Sequence, residues 1–335
     1  MKFAGGSVRV GLLVAAGVAL LSVGTLAYAK GLLRGTAKRR IRLVALDLDG
    51  TTLTSSHQLT ERTRTILQKL KGKGVIVSLA TGRSAKSLER YLLESGLSGE
   101  VPVVCYNGAC GYRYFVNSNQ EAAGGKVLEA QSLFVNGVQK ETCKALVAAA
   151  EKVGAIVQFY DVETGQICAT PKRPADRGLL KLYEELVTHK QHIVSDEEMK
   201  RLVDSKEPAK LLLLTPVEKI DETMEKVRAL VDPSRYHEVR GSPSPFFIEY
   251  LAPQVCKGQG VESLCAQLKV PLDQVLAFGD GDNDVEFLQV AGDGVAMKNA
   301  REVTKAAADR VLEWSNDEEG VARELERLDR EGAFD

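Results

Sequence analysis

The sequence lacks the cysteine spacing of a disulfide-stabilised or zinc-binding domain. Its six cysteines are scattered along the chain and include no CxxC pair. We therefore expect these thiols to be reduced and mostly buried. The sequence also lacks internal repeats, and it has no low-complexity segment apart from an apolar run near the N-terminus. These absences exclude a small disulfide scaffold and a repeat architecture.

Basic residues are scarce relative to acidic ones outside the first forty positions. Residues 1–40 contain seven Lys or Arg and no acid, whereas residues 41–335 contain 37 basic and 45 acidic residues. A mildly acidic body does not attract phosphate backbones, and no basic stripe with interleaved aromatics is present. We therefore expect no nucleic-acid partner. Hydrophobic residues at 44% and charged residues at 27% are typical of a folded protein, and 335 residues suffice for two domains.

One apolar run stands apart from the rest of the chain. Residues 10–29 carry no charge and approach the ~20 residues that cross a bilayer. The sequence Ala27-Tyr28-Ala29 resembles a signal-peptidase site, so a cleaved signal is one interpretation. The larger basic cluster at 30–40 favours the other, a retained membrane anchor with the rest of the chain on the cytoplasmic side. We expect residues 1–40 to be such a membrane or signal segment followed by a basic linker.

From residue 41 onward, short apolar runs alternate with amphipathic helical stretches. This alternation predicts a parallel sheet covered by helices. A continuous apolar strand at 41–46 suits burial on both faces. A helix at 60–71 follows it, with Thr60 as its N-cap.

The same alternation occurs in two separated parts of the chain. Residues 134–250 have strands and helices of their own, and the first pattern resumes only after them. We expect a doubly wound, mainly parallel Rossmann-like core at 41–133 and 251–335. An α/β cap domain at 134–250 would interrupt it.

Two acids follow the first predicted strand in the segment Asp47-Leu48-Asp49-Gly50-Thr51. The carboxyl end of a strand is where open parallel sheets bind ligands. Two carboxylates ~7 Å apart repel by roughly 2 kcal/mol at an effective dielectric near 20, a cost that a divalent cation would offset. Taken alone, the segment favours such a site, and an acidic turn that ends a strand is the alternative.

Three further elements occupy comparable positions. Ala80-Thr81-Gly82-Arg83 follows a predicted strand and precedes a helix, where a hydroxyl and N–H groups form an anion site or simply a helix cap. Another strand is followed by Gly279-Asp280-Gly281-Asp282-Asn283-Asp284, whose hard oxygen ligands suit Mg²⁺. The alternatives are a solvated acidic loop and a calcium loop, although an EF-type calcium loop needs a Glu much further on. Lys257 is at the start of a predicted helix. Its side chain could supply a fixed positive charge to a phosphate, or it could simply be solvated.

Together these segments resemble the haloacid dehalogenase superfamily and, within it, the Cof-type sugar phosphatases. The resemblance extends to Asn107-Gly108-Ala109, Lys257-Gly258 and the segment 295–300. It covers nearly all of residues 41–330, with the insert at the cap position. One departure is Phe287, where many relatives carry Met, and we interpret it as a packing change.

The resemblance implies a role for each matching residue. Asp47 would be the nucleophile that forms an aspartyl-phosphate, and Asp49 the general acid and then base. Mg²⁺ would be held by Asp47, the backbone carbonyl of Asp49, Asp280 and Asp284. The residues implied to surround the phosphate are Leu48, Thr81, Gly82, Lys257 and Asn283.

The sequence thus predicts an Mg²⁺-dependent phosphatase for a small phosphorylated metabolite such as a sugar phosphate. A phosphotransferase or phosphomutase on the same scaffold is one alternative. A non-catalytic, membrane-tethered sensor of a phosphorylated metabolite is another, although degenerate relatives normally lose an acid that this chain retains. The basic stretch at 171–177 has two interpretations. It could contact the substrate, but a solvated surface loop is favoured.

Overall fold

The computed structural model describes residues 40–117, 128–187, 189–241 and 246–335. The apolar run at 10–29 lies outside these ranges. Within them, no helix has the length and apolar character needed to cross a membrane. The membrane or signal segment, and the location of the catalytic part, therefore remain predictions without support from the described residues.

Strands and helices alternate along most of the described chain. The strands are β1 (Leu43–Leu46), β2 (Ile76–Ala80), β3 (Gly99–Cys105), β4 (Cys110–Val116), β5 (Leu128–Val135), β6 (Ile156–Tyr160), β7 (Ile167–Ala169), β8 (His192–Ile193), β9 (Leu211–Leu214), β10 (His237–Arg240), β11 (Phe247–Leu251), β12 (Val275–Gly279), β13 (Asp293–Ala296) and β14 (Arg310–Val311). The α-helices are α1 (Glu61–Gly72), α2 (Ala85–Glu94), α3 (Lys140–Val153), α4 (Asp176–Val187), α5 (Asp196–Ser205), α6 (Ile220–Leu230), α7 (Lys257–Leu268), α8 (Val285–Val290), α9 (Glu302–Ala307) and α10 (Gly320–Arg330).

The larger of the two described sheets has the strand order β14-β13-β12-β1-β2-β3-β4-β5. Neighbours from β14 to β3 are parallel, and β4 and β5 add antiparallel strands at one edge. Strand β1 lies inside the sheet, with Leu43 opposite Val275 on one side and Ile76 on the other. All of β1 is buried, as expected for a strand covered on both faces. The predicted doubly wound, mainly parallel sheet is confirmed.

The smaller sheet, described within 156–251, has the order β10-β11-β9-β6-β7-β8. Alternate residues of β9 point to opposite faces, as in any strand. Leu211 and Leu213 pack in a cluster with Leu146 of α3, whereas Leu212 and Leu214 belong to the cluster that contains the larger sheet. The smaller sheet therefore has its own helix-covered face and a second face that joins the main core. The cap boundaries at 134 and 250 remain a prediction.

Local signals account for several helix ends. The Thr60 hydroxyl accepts a hydrogen bond from the backbone N–H of Thr63 at 3.2 Å, so the predicted N-cap of α1 is confirmed. Helix α5 was not predicted, although Ser195 caps it in the same way by accepting from the Glu198 N–H at 3.2 Å. All six cysteines are free, five of them buried and Cys256 half-buried, as expected from their spacing.

Candidate active site

The carboxyl ends of β1 and β12 bring two acidic segments together. Asp47 directly follows β1, and the next residues form a tight turn in which Gly50 has φ +79°. A Cβ at residue 50 would lie 2.3 Å from Oδ2 of Asp280, so both the backbone conformation and the available space require glycine. Because β1 and β12 are neighbours, this turn packs directly against the loop after β12.

Three carboxylates form what we call the acidic group: Asp47, Asp280 and Asp284. One oxygen from each lies within 4.8 Å of the others. Asp47 is 5% exposed and Asp284 1% exposed. The Thr51 hydroxyl donates to Oδ1 of Asp280 at 2.8 Å. Asp284 is fixed from its other side, because its Oδ2 accepts from the backbone N–H groups of Asp280 and Gly281 at 3.0 and 2.9 Å.

Lys257, the first residue of α7, contacts two members of the acidic group. Its buried Nζ donates to Oδ1 of Asp47 at 2.8 Å and to Oδ1 of Asp284 at 2.5 Å. Burial by itself would lower the pKa of Lys257, but the charges of Asp284 and Asp47 outweigh it and raise the pKa. Lys257 is therefore a permanent positive charge beside the acid that was predicted to be the nucleophile.

A single ammonium does not balance three carboxylates. Burial raises the pKa of Asp47 well above its ordinary value, and the charges of Asp284 and Asp280 oppose the lowering effect of Lys257. Burial, followed by the charge of Asp284, raises the pKa of Asp280 to about 6. The acidic group thus supplies hard oxygen donors and an excess of negative charge, which fits Mg²⁺.

The Asp49 carboxylate faces other partners. Its oxygens accept from Nε and Nη2 of Arg83 at 2.6 and 2.7 Å, and its Oδ1 lies 3.1 Å from Nδ1 of His57. Burial alone would raise the pKa of Asp49, but the hydrogen bonds and charge of Arg83, and then those of His57, lower it. Asp49 is therefore held as a carboxylate between two basic side chains.

The residues predicted to surround the phosphate lie at the ends of neighbouring strands. Leu48 and Thr81 are both 1% exposed, and the Thr81 hydroxyl accepts from the Arg83 N–H at 3.2 Å. Gly82 follows directly, and Nδ2 of Asn283 donates to Oδ1 of Asn107 at 2.9 Å. The structure thus joins Asp47, Asp280, Asp284 and Lys257 by direct contact, whereas Asp49 and Asn283 have partners that were not predicted.

Those partners are Arg83 and His57 for Asp49, and Asn107 for Asn283. Two further residues that were not predicted, Glu249 and Lys210, contact Asn107 and the Gly82 carbonyl. Arg83 and Asn107 stand inside the matching segments, where no role was assigned to their side chains. Glu249 interrupts the apolar sequence of β11, and Lys210 directly precedes the apolar sequence of β9. A buried charge within or next to an apolar strand is the signal that could have identified them.

The basic loop at 171–177 binds acids close to it. Lys172 pairs with Asp196, and Arg173 pairs with the buried Asp176 at 2.9 Å. These contacts agree with the interpretation of this stretch as a surface loop.

Comparison with known proteins gives a consistent picture. Residues 44–325 match the family model of haloacid dehalogenase-like hydrolases. The Bacillus subtilis protein YxeH, named as a phosphatase, is 31% identical over 295 residues, which cover 86% of this chain and 98% of YxeH. The 5-amino-6-(5-phospho-D-ribitylamino)uracil phosphatase YitU of Bacillus subtilis is 28% identical over 288 residues, which cover 84% of this chain and 96% of YitU.

Solved structures support the same fold. The structure of the subclass IIB sugar phosphatase BT4131 matches with a TM-score of 0.67 at 23% identity. The match covers 87% of this chain and 99% of that one. This likeness establishes the fold of the chain and does not by itself extend to the substrate.

Proposed function

This chain belongs to the haloacid dehalogenase-like hydrolases, and from that premise we propose that it is an Mg²⁺-dependent phosphatase that uses Asp47 to attack a small phosphorylated metabolite. Relatives in the family are named phosphatases, and the chain is an enzyme of that class. One observation carries the proposal. Asp47 is buried at the end of β1, 2.8 Å from the Lys257 ammonium and in one group with Asp280 and Asp284.

In the first half-reaction, an oxygen of Asp47 attacks phosphorus and the bond from phosphorus to the leaving oxygen breaks. The leaving oxygen takes a proton from Asp49, which gives an alcohol and an aspartyl-phosphate. Lys257 offsets the charge of Asp47 as one anion approaches another. Mg²⁺, held by Asp47, Asp280, Asp284 and the Asp49 carbonyl, would supply positive charge to the phosphoryl oxygens.

In the second half-reaction, a water molecule gives a proton to Asp49 and attacks the same phosphorus. The bond from phosphorus to Asp47 then breaks, and phosphate leaves. Asp49 gave up its proton in the first half-reaction, so it is now a carboxylate that can accept this one. To act first as an acid, Asp49 must gain a proton, so its contacts with Arg83 and His57 must loosen when substrate binds.

Four groups from three loops are assigned to the phosphate in addition to Lys257. They are the Leu48 N–H, Thr81, Gly82 and Asn283. Their placement at the carboxyl ends of β1, β2 and β12 supports this assignment, because loops at that edge of a parallel sheet converge on one crevice. The buried Thr81 hydroxyl and the N-terminal end of α2 beside it suit an anion.

The substrate class that we propose is a sugar phosphate or a related phosphorylated polyol. The support comes from relatives, since BT4131 is a sugar phosphatase and the YitU substrate carries a phosphoribityl chain. Within this chain, Lys210 of the smaller sheet reaches the carbonyl of Gly82 at 3.3 Å. The smaller sheet therefore lies close enough to the proposed phosphate turn to contact the rest of a small substrate.

The test compares Asp47→Asn with Asp282→Asn. Asp282 belongs to the same acidic loop, but its exposed carboxylate pairs with Arg301 at 3.0 Å. On p-nitrophenyl phosphate, Asp47→Asn should lower kcat by at least about 1,000-fold, because the nucleophile is lost. Asp282→Asn should stay within about twofold of the parent protein. EDTA should stop the reaction, and added Mg²⁺ should restore it.

A panel of sugar phosphates, nucleotides and phosphorylated cofactors then identifies the substrate class by kcat/KM. Retained turnover in a folded Asp47→Asn protein would overturn the mechanism. Equal rates across all classes in the panel would overturn the proposed preference for sugar phosphates.

A further inference from the structure

We propose that Glu249 is a positioning residue that acts through Asn107 to fix the orientation of the Asn283 amide at the phosphate site. The inference rests on the proposed function, because it concerns how the same site is held ready. Glu249 lies in β11 of the smaller sheet, 142 positions along the chain from Asn107. It links that sheet to the loops that carry the proposed chemistry.

The link begins with a buried ion pair. Nζ of Lys210 donates to Oε1 of Glu249, and the two residues are 2% and 6% exposed. The same ammonium donates to the Gly82 carbonyl at 3.3 Å and lies 4.8 Å from the centre of the Tyr160 ring. Lys210 therefore spans the gap between the smaller sheet and the turn after β2.

Strand register explains why this pair faces the larger sheet. In the β9–β11 pairing, Glu249 lies opposite Leu212, whose side chain belongs to the cluster of the larger sheet. Lys210 precedes Leu212 by two residues and therefore points to the same face. The lysine and the glutamate are diagonal neighbours on that face, close enough for a long side chain to complete the pair.

Two hydrogen bonds continue from Glu249 to the acidic loop. Nδ2 of Asn107 donates to the second carboxylate oxygen, Oε2, at 2.8 Å. Oδ1 of Asn107 accepts from Nδ2 of Asn283 at 2.9 Å. Asn107 is 5% exposed, so bulk water does not substitute freely for either partner. We call the series Glu249–Asn107–Asn283 the amide relay.

The hydrogen bonds of the amide relay can run in one direction only, with each amide NH₂ group donating towards Glu249. A carboxylate paired with an ammonium only accepts, so Asn107 must turn its NH₂ group towards Glu249. Asn107 then has its carbonyl left for Asn283, which must in turn present its own NH₂ group. An acceptor in the smaller sheet thereby determines which end of a distant amide lies beside Asn107.

The orientation of the Asn283 amide affects the phosphate site, because Asn107 packs against Gly82. A Cβ at residue 82 would lie 2.9 Å from Oδ1 of Asn107, the atom that receives the Asn283 hydrogen bond. Nδ2 of Asn283 is thus kept at the Gly82 turn, to which the phosphate is assigned. Its second N–H remains available to a phosphate oxygen, whereas a reversed amide would place a carbonyl oxygen there.

The experiment measures kcat and KM on p-nitrophenyl phosphate for Glu249→Gln, Asn283→Ala and the double variant. Glutamine keeps the size of Glu249 but also donates, so it permits both directions of the relay. We expect Glu249→Gln to lower kcat/KM about tenfold, the effect of weakening one hydrogen bond to an anion. In the Asn283→Ala background, the same substitution should change kcat/KM by less than about twofold, because the relay has lost its end.

The matched control is Glu238→Gln, in β10 of the same sheet. Glu238 accepts from Nε of Arg228 of α6 at 2.9 Å, an ion pair on the helix-covered side of the sheet. Its substitution should leave kcat/KM within about twofold. A merely structural role for Glu249 predicts that the losses in Glu249→Gln and Asn283→Ala multiply, and that result would overturn the proposal.

A second variant covers the case in which Glu249→Gln folds poorly. Asn107 has φ +54°, so Asn107→Gly suits the backbone and removes the middle of the relay without touching the ion pair. Asn107→Gly should lower kcat/KM as much as Glu249→Gln does. In the Asn283→Ala background it should cause no further loss of kcat/KM. An inactive parent protein would refute the proposed function. An active parent in which Asn283→Ala is impaired, but Glu249→Gln and Asn107→Gly are normal, would refute the relay alone.

Discussion

Two buried polar clusters of this protein differ in how far their negative charge is compensated. The acidic group sets three carboxylates against the ammonium of Lys257 at the edge of the larger sheet. The Glu249 cluster, in the smaller sheet, sets one carboxylate against the ammonium of Lys210 and satisfies its second oxygen with an amide. The first cluster retains an excess of negative charge, whereas the second is balanced.

This difference in charge balance indicates a different role for each cluster. Buried carboxylates without a counter-charge oppose folding, so such a group persists where a cation or a reacting anion completes it. A balanced pair needs no ligand, and its contribution to folding is small compared with the cost of breaking it. Excess charge thus marks the proposed reaction centre, and completed charge marks the support that holds it.

The largest effect on stability is expected from Lys257→Met, which removes the only ammonium that contacts the acidic group in the described part of the chain. Asp47 and Asp284 would then be buried without the ammonium that now contacts both. We expect the free energy of unfolding to fall by roughly 3–5 kcal/mol at pH 7 without Mg²⁺, together with loss of activity. Urea unfolding measures the first change and p-nitrophenyl phosphate turnover the second.

Lys226→Met provides the control for that substitution. Lys226 is exposed on α6 and pairs with Glu222 at 2.5 Å, so its loss should leave the free energy of unfolding almost unchanged. If both variants cost the same, Lys257 does not compensate buried charge, and the comparison between the two clusters fails.

An intermediate effect is expected from Mg²⁺ and pH. The pKa of Asp280 is raised to about 6 from 3.8, so without a cation the folded protein holds more protons than the unfolded chain between these values. The stability contribution of Asp280 therefore falls as pH rises through this window. Mg²⁺ binds the deprotonated carboxylates, so its stabilisation should grow over the same window, to about 1–3 kcal/mol near saturation.

Thermal unfolding with and without Mg²⁺ at pH 5.0 and 7.5 measures this dependence. The rise in Tm should be larger at pH 7.5. Asp280→Asn should reduce the pH dependence, because the amide does not titrate, whereas Asp47 keeps a raised pKa through burial and the charge of Asp284. An equal rise in Tm at both pH values would mean that the acidic group is not where the cation acts.

The smallest effect on stability is expected when both charges of the balanced cluster are removed. Lys210→Met with Glu249→Gln eliminates the ion pair but keeps an acceptor for Asn107. We expect the free energy of unfolding to change by less than about 1 kcal/mol, whereas Lys210→Met alone should cost roughly 3 kcal/mol. Urea unfolding of the single and double variants distinguishes these outcomes, and an equally large loss in both would show that the pair itself stabilises the fold.

Local sequence patterns were enough to predict the larger sheet and most of the acidic group. An apolar run followed by acids places those acids at a strand end, and parallel strands end at one edge. Asp47 and Asp280 could therefore be predicted to meet although most of the chain separates them. Helix α5 has no strong sequence signal, because only Met199 and Val203 of its ten residues are buried and its apolar periodicity is therefore weak.

The partners of the site residues were beyond that kind of prediction. Asp49 could be singled out by its segment, but its contacts with Arg83 and His57 depend on how the turn after β1 directs its carboxylate. The contact of Glu249 with Asn107 depends on β11 pairing with β9 and on the face of the smaller sheet that this register exposes. Side-chain direction at a turn and strand order in a sheet are set by the assembled fold, so no local pattern reports them.

The position of β1 beside β12 has a consequence for how the enzyme matures. Leu43 pairs with Val275, and the entire smaller sheet is encoded between them. Closing so long a loop is entropically costly and makes such pairings slow to form. During synthesis, the strand that carries Asp47 leaves the ribosome long before its neighbour exists. If Asp47 is the nucleophile as proposed, a nascent chain that contains it should have no activity until the residues through Asp284 have emerged and docked.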